Sequence, residues 1–148
     1  MEKNSLKEKY IEVNRHNPFV LHNHIEIEEV EPDCARLCFT IRPDSLNPHG
    51  LVHGGALFTL ADNAAGCAAT TDGRSYVTQE CDIHFLRVQS SGVVRAEARV
   101  RHRGRSTVLV EVSITGEGEH LLATASFTFF CVDGSEIERN SPIAARRS

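Results

Sequence analysis

Hydrophobic residues alternate with polar ones along much of the chain, at the two-residue period of a strand with one buried face. The clearest example runs over residues 35–41, where Ala35, Leu37, Phe39 and Ile41 share one face. Weaker or longer strand patterns cover residues 24–30, 76–88, 93–101, 106–115 and 121–132. The pattern therefore predicts six strands.

Short polar segments rich in glycine and serine separate the last four strands. They are Ser90-Ser91-Gly92, Arg103-Gly104-Arg105 and Gly116-Glu117-Gly118. Because tight turns join antiparallel neighbours, these segments predict antiparallel strands.

One long helix is predicted in the body of the chain, from Gly54 to about Thr71, and the turn signal Asp72-Gly73 ends it. Its side chains are unusually small, and the small residues are Ala56, Ala61, Ala64, Ala65, Gly66, Ala68 and Ala69. Small residues on several faces allow other backbone to approach from several directions. The order of elements is strand, strand, helix and four strands. This order predicts an α+β fold in which a curved antiparallel sheet wraps around the helix.

The two ends of the chain add little to this core. A short helix is predicted over residues 3–14, before the break at Asn17-Pro18, and residues 133–148 form a polar tail. With 148 residues, 41% of them hydrophobic, the whole chain is expected to be a single domain over residues 1–148.

Composition excludes several classes of function. The net charge is −4, and no long block of positive charge suggests a nucleic-acid partner. There is no long apolar run and no signal peptide, so a membrane partner is not expected. The five cysteines are scattered without a C-x-x-C pair, which favours reduced thiols and a cytoplasmic protein.

The stretch that carries candidate chemistry is N-P-H-G-L-V-H-G-G-A-L-F-T-L-A-D, residues 47–62. Its last residue, Asp62, lies among alanines, where an unpaired carboxylate is costly to bury. Gly54 and Gly55 lie at the start of the helix, where backbone N–H groups can bind developing negative charge. A helix that exposes one face would explain Asp62 without function, but the small apolar neighbours favour a functional carboxylate. The combination suggests acyl transfer.

The spacing within this stretch limits how the site is built. Asp62 lies seven residues after Gly55, on the same helix face but roughly 10 Å further along the axis. The helix start and the carboxylate therefore cannot both contact one carbonyl group. Each is expected to meet a partner from elsewhere, such as a second copy of the chain.

The motif H-G-G-x-x-x-x-L-x-D, with an asparagine six residues before the histidine, resembles the hotdog-fold acyl-CoA thioesterases. Within them it is most similar to the group of the phenylacetate-degradation (PaaI-like) thioesterase. The later runs Y-V-T-Q-E-C-D-I-H-F-L-R and R-H-R-G-R-S-T-V-L-V-E-V look like the following strand and hairpin of that family. The resemblance covers about residues 47–131 and does not specify the acyl group.

The resemblance implies an acyl-CoA thioesterase that hydrolyses its substrate to a carboxylate and free coenzyme A. Asp62 would attack the thioester carbonyl or activate a water molecule, and the Gly54 N–H would bind the carbonyl oxygen. No cofactor is implied, because coenzyme A is part of the substrate. The active sites would lie at the interface of a homodimer, or of a tetramer built from two dimers.

Other residues receive weaker assignments. His53 is expected to hold the loop and help polarise the carbonyl, and without a third ligand beside His49 no metal site is predicted. Asn47 either begins a turn or lies near the thioester. Thr78 matches a family residue that positions the attacking water. Gly55 is assigned to substrate binding, and the candidates for the coenzyme A phosphates are Arg87, Arg103 and Arg105 with Ser106, although a solvated hairpin would explain each arginine as well.

Two alternatives stay open at this point. A hotdog dehydratase or hydratase would carry different local motifs, which this sequence lacks. A non-catalytic acyl-CoA-binding or regulatory protein on the same fold would not need a carboxylate beside the thioester.

Overall fold

The computed structural model describes residues 2–132, with side chains from residue 5. Three α-helices are present, and they are α1 (Glu2–Arg15), α2 (Pro18–His22) and α3 (Gly54–Ala69). The six strands are β1 (Glu26–Glu31), β2 (Cys34–Thr40), β3 (Ser75–Phe85), β4 (Val93–Arg103), β5 (Thr107–Thr115) and β6 (Leu121–Val132). The polar tail predicted over residues 133–148 lies outside the described residues. No helix within residues 2–132 is long and apolar enough to cross a membrane.

The six strands form one antiparallel sheet in the order β1-β2-β4-β5-β6-β3. Alternate residues of the central strands face α3, as the two-residue period predicts. Cross-strand partners such as Leu37 and Ala96, or Val110 and Phe127, are completely buried on this face. The opposite face carries charged side chains, including Arg36, which contacts carboxylates of neighbouring strands.

Small side chains let the sheet curve closely around α3. Ala61, Ala64, Ala65 and Ala68 have no exposed surface, and Leu60 fills the space between the helix and the sheet. Such burial on adjoining faces requires contact from several directions, which the curved sheet supplies. The expected central helix is therefore confirmed, although it ends at Ala69 and a short 3₁₀ turn follows over Thr70–Asp72.

One expectation about the turns was wrong. The signal at Ser90-Ser91-Gly92 suggested a tight turn between neighbouring strands, but β3 and β4 are not neighbours. β3 pairs with β6 at the edge of the sheet, and residues 86–92 cross to β4, which lies between β2 and β5. A turn signal reports local backbone geometry and does not choose the partner strand. The other two turns do join neighbours, β4 to β5 and β5 to β6.

The helix α2 was missed by the sequence analysis. Asn17-Pro18 does end α1, but it also begins a new helix. The side-chain oxygen of Asn17 accepts a hydrogen bond from the Val20 N–H at 3.3 Å, and Pro18 occupies the first turn. Asparagine as a helix cap with proline just after it is a start signal as well as a stop signal.

Candidate active site

Among residues 2–132, one backbone N–H at the start of α3, that of Gly54, has no hydrogen-bond acceptor. The His53 ring caps the helix, because its Nδ1 accepts from the Gly55 N–H at 2.8 Å. The N–H groups of Ala56 and Leu57 donate to the His53 carbonyl oxygen at 3.0 and 3.2 Å. For the Gly54 N–H, no acceptor is found in the described part of the chain. A helix start directs such a group, with its positive partial charge, towards an incoming anion or carbonyl oxygen.

Position 54 also has little space for a side chain, which favours glycine. The Phe85 ring from the end of β3 lies against it, and a Cβ atom at Gly54 would come within 3.2 Å of the ring carbon Cζ. That distance is tighter than ordinary van der Waals contact. The free N–H of Gly54 therefore lies beside an aromatic ring that is half exposed.

Asp62 lies in the third turn of α3 and is partly buried. The Thr78 hydroxyl on β3 donates to its Oδ1 at 2.8 Å. Within residues 2–132 no donor contacts Oδ2, so this oxygen is available to a substrate or a water molecule. The sequence analysis named both residues, and the structure brings them together.

A β-bulge in β3 determines which side chain of this strand lies next to Asp62 and Thr78. The register shifts between Thr78 and Glu80, so that both Thr78 and Cys81 pair with inward-facing phenylalanines of β6 and point towards α3. Burial, followed by the negative charge of Asp62, raises the pKa of the Cys81 thiol. Cys81 is therefore protonated at neutral pH and is a poor nucleophile.

The two halves of the candidate site are separate within one chain. Asp62 lies eight residues after Gly54, about 12 Å along the helix axis. Thr78 reaches Asp62, while Phe85, seven residues later on the same strand, reaches Gly54. The chain thus places the carboxylate and the free N–H at different points along the contact between α3 and β3.

A groove of about 240 Å³ opens beside Asp62, between α2 and α3. Its lining residues are Asn17, Phe19, Val20, Phe58, Thr59, Asp62 and Asn63. The sequence analysis named Asp62 as a candidate, but it missed Phe19 and Asn63. The signal for Phe19 was the cap at Asn17-Pro18, which places the next residues in a helix.

Asn47 organises a turn. Its Oδ1 accepts from the His49 and Leu51 N–H groups at 2.9 and 3.2 Å, and its own N–H donates to the Leu51 carbonyl at 2.7 Å. These bonds shape the loop that leads to His53. Two roles were considered for Asn47. Its hydrogen bonds in the structure are those of a turn, and a role near the thioester stays a prediction.

Arg103 is held at the other end of α3. Its guanidinium donates to the Ala69 carbonyl at 2.9 Å and forms ion pairs with Asp33 and Asp72, both at 2.7 Å. Burial by itself raises the pKa of the Asp72 carboxyl. Hydrogen bonds from Tyr76 and Arg74, together with the charge of Arg103, outweigh burial and lower this pKa to about 2. These contacts satisfy the helix C-terminus and give Arg103 a structural role.

The remaining candidates for coenzyme A binding do not form one cluster. Arg105 and Ser106 follow β4, where the Arg105 carbonyl accepts from Arg74 at 2.8 Å, near the C-terminal end of α3. Arg87 lies just after β3, near the helix start, with its Nη1 2.7 Å from the His120 Nδ1. A single chain therefore presents these cations at opposite ends of α3, and their contacts with coenzyme A stay predictions.

A central helix wrapped by a six-stranded antiparallel sheet, with a lone carboxylate on the helix and a free N–H at its start, defines a hydrolase of the hotdog-fold class. The sequence model of the thioesterase superfamily matches residues 49–123, and the chain belongs to this family. It is a thioester hydrolase, which agrees with the expectation from the sequence.

Two curated relatives illustrate the family. The acyl-coenzyme A thioesterase PaaI of Escherichia coli K12 is 34% identical over 100 residues, which cover 67% of this chain and 71% of that protein. The 1,4-dihydroxy-2-naphthoyl-CoA hydrolase of Listeria monocytogenes strain 10403S is 34% identical over 107 residues, covering 70% and 87%.

Solved structures agree in fold. The E. coli PaaI protein from the phenylacetic acid degradation operon superposes with a TM-score of 0.84 at 26% identity, covering 89% of this chain and 96% of that one. A hypothetical thioesterase from Streptococcus pneumoniae TIGR4, crystallised with coenzyme A, superposes with a TM-score of 0.71 at 30% identity, covering 73% and 85%. The pneumococcal protein has also been crystallised with an aspartate, and separately a threonine, replaced by alanine. Those two positions are separated by the same 16 residues as Asp62 and Thr78 here.

Proposed function

We propose that this protein is an acyl-CoA thioesterase, which hydrolyses an acyl-CoA to a carboxylate and free coenzyme A. The observation that carries the proposal is the pairing of Asp62 with Thr78 beside an open groove. The names of the E. coli and Listeria relatives add support, because both describe enzymes that act on CoA thioesters.

Hydrolysis needs a nucleophile that attacks the carbonyl carbon and a hydrogen-bond donor that stabilises the negative charge developing on the carbonyl oxygen. Asp62 would supply the first, by attacking the thioester itself or by taking a proton from an attacking water. Thr78 orients the carboxylate through Oδ1 and leaves Oδ2 for the reaction. When water attacks, collapse of the tetrahedral intermediate releases the carboxylate product and the coenzyme A thiolate, which takes back the proton from Asp62. When Asp62 itself attacks, collapse releases the thiolate and leaves the acyl group on Asp62 as a mixed anhydride, which water then hydrolyses to the free carboxylate.

The Gly54 N–H would stabilise the oxyanion. It has no internal acceptor in the described residues, and it lies at the positive end of the α3 dipole. The His53 ring, which accepts at Nδ1, carries its proton on Nε2 when neutral and so presents a second donor at the helix start. His53 is therefore proposed to help polarise the carbonyl and not to act as a general base.

Because the Gly54 N–H and Asp62 are about 12 Å apart, a complete site requires two chains. β3 is an edge strand with Thr78 exposed on it, so a second copy that pairs along β3 would approach Asp62 directly. We propose a homodimer with two shared sites, which can pair again into a tetramer. In such a dimer the cations of one chain, Arg87 at one end of α3 and Arg105 at the other, are candidates for the coenzyme A phosphates.

The decisive test is Asp62→Asn, which keeps the size of the side chain and an oxygen for Thr78. Thiol release from a panel of short, medium, long and aromatic acyl-CoAs is expected to fall about 10²- to 10⁴-fold in kcat. Asp82→Asn, on the outer face of β3, removes the same charge and is expected to keep the parental rate. Hydrolysis by Asp62→Asn close to the parental rate would contradict the mechanism.

A further inference from the structure

The short helix α2 places a large apolar side chain at the surface, next to the reacting carboxylate. Phe19 is 63% exposed, although phenylalanine is usually buried. It lines the same groove as Asp62, together with Phe58 of α3. An exposed aromatic residue on the wall of a groove is a typical anchor for an apolar ligand.

The backbone that presents Phe19 is firmly held. The neighbouring Val20 is only 2% exposed and anchors α2 in the core. The Asn17 side chain caps the helix, and the Phe19 carbonyl accepts hydrogen bonds from the backbone and side chain of Asn23 at 3.2 and 2.9 Å. The position of Phe19 is therefore set before any ligand arrives, which reduces the entropy cost of binding.

A partly buried pair of amide side chains joins the preceding helix, α1, to a residue that lines the groove. Asn14, at the end of α1, is 8% exposed and donates from Nδ2 to the Asn63 Oδ1 at 3.4 Å. Asn63 directly follows Asp62 and also lines the groove. The helix α1, which leads directly into α2, is thus tied to the helix that carries Asp62.

We propose that Phe19 is a specificity-determining residue, and that the groove between α2 and α3 binds the acyl group of the thioester. The inference rests on the proposed thioesterase function and adds the class of substrate, which is an acyl group with a bulky apolar body. A groove of about 240 Å³ accommodates such a group and exceeds what an acetyl group would fill. Phe19 lies before residue 49, where the match to the family model begins.

The test compares Phe19→Ala with Leu21→Ala. Both residues are exposed apolar side chains on α2, but Leu21, 51% exposed, does not line the groove. The substrates are acetyl-CoA, hexanoyl-CoA and benzoyl-CoA, assayed by thiol release. Phe19→Ala is expected to lower kcat/KM about 10-fold for the two bulky substrates, chiefly by raising KM, and to leave acetyl-CoA within about 2-fold.

The ratio between bulky and small substrates is the critical readout, because loss of folded enzyme would lower all three rates equally. Phe19→Leu, which keeps apolar bulk, is expected to restore most of the ratio. An unchanged ratio in Phe19→Ala, or the same change in Leu21→Ala, would overturn the inference while the thioesterase function stands. If the parent protein releases no thiol from any acyl-CoA, the proposed function itself fails.

Discussion

At the scale of single residues, Asp62 illustrates how one contact prepares a carboxylate for chemistry. The Thr78 hydroxyl donates to one oxygen, and Asp62 also lines a groove. Cys81 points towards the same helix but keeps its proton, because burial and the charge of Asp62 raise its pKa. Among these neighbours, the carboxylate is therefore the group that we propose starts the reaction.

The hydrogen bond from Thr78 to Asp62 is expected to matter for the rate. Thr78→Val keeps the shape of the side chain and removes the donor. A hydrogen bond to a charged group contributes about 1.5–3 kcal/mol, so kcat is expected to fall about 10- to 100-fold in a thiol-release assay. Thr128→Val is the control, because Thr128 lies on β6 but faces away from α3. Equal losses in the two variants would argue against a positioning role.

At the scale of elements, the two ends of α3 are satisfied in different ways. Arg103 and its carboxylate partners occupy the C-terminal end, where the carbonyls of Ala68 and Ala69 accept its hydrogen bonds. At the N-terminal end the His53 cap leaves the Gly54 N–H without an acceptor in the part of the chain that the structure describes. An unused donor at a helix start is what an oxyanion site requires.

Replacing Gly54 tests this donor directly. Proline is tolerated in the first turn of a helix, and His53 before it already has extended backbone angles, φ −68° and ψ 135°. Gly54→Pro removes the N–H, and kcat is expected to fall about 10²- to 10³-fold. Gly54→Ala adds a similar contact with the Phe85 ring but keeps the N–H, so it is expected to be clearly more active. If both variants lose activity equally, the steric contact and not the donor explains the glycine.

At the scale of the whole molecule, the proposed site is complete only when two chains meet. This arrangement has a consequence that mixing experiments can measure. Homodimers of Asp62→Asn and homodimers of Gly54→Pro are each expected to be nearly inactive. A heterodimer of the two variants contains one site with both the donor and the carboxylate intact.

Random reassociation makes half of the dimers heterodimers, each with one working site of two, so about a quarter of the parental activity is expected to return. The measurement is thiol release after the two variants are co-expressed or refolded together. Size-exclusion chromatography with light scattering confirms the dimers. If activity does not recover although heterodimers form, the carboxylate and the donor do not act across the interface.

Local patterns predicted most of the fold. The alternation through Leu37 and Phe39, and the small residues of α3 around Ala64, reflect what each segment buries, which is a local property of its sequence. The pairing of β3 with β6 was not predictable in the same way, because it joins segments that are far apart along the chain. The turn signal at Ser90-Ser91-Gly92 therefore suggested the wrong neighbour.

The sequence by itself determined the α+β class, the start of α3 at Gly54 and the identity of the candidate carboxylate, Asp62. These features depend on residue types at short spacing. Only the tertiary structure decided what surrounds them. It placed Phe19 beside Asp62 and bound the Arg103 guanidinium to the C-terminal end of α3. It also left the Gly54 N–H without an acceptor in the described residues. Such contacts depend on how distant segments pack, which no local pattern encodes.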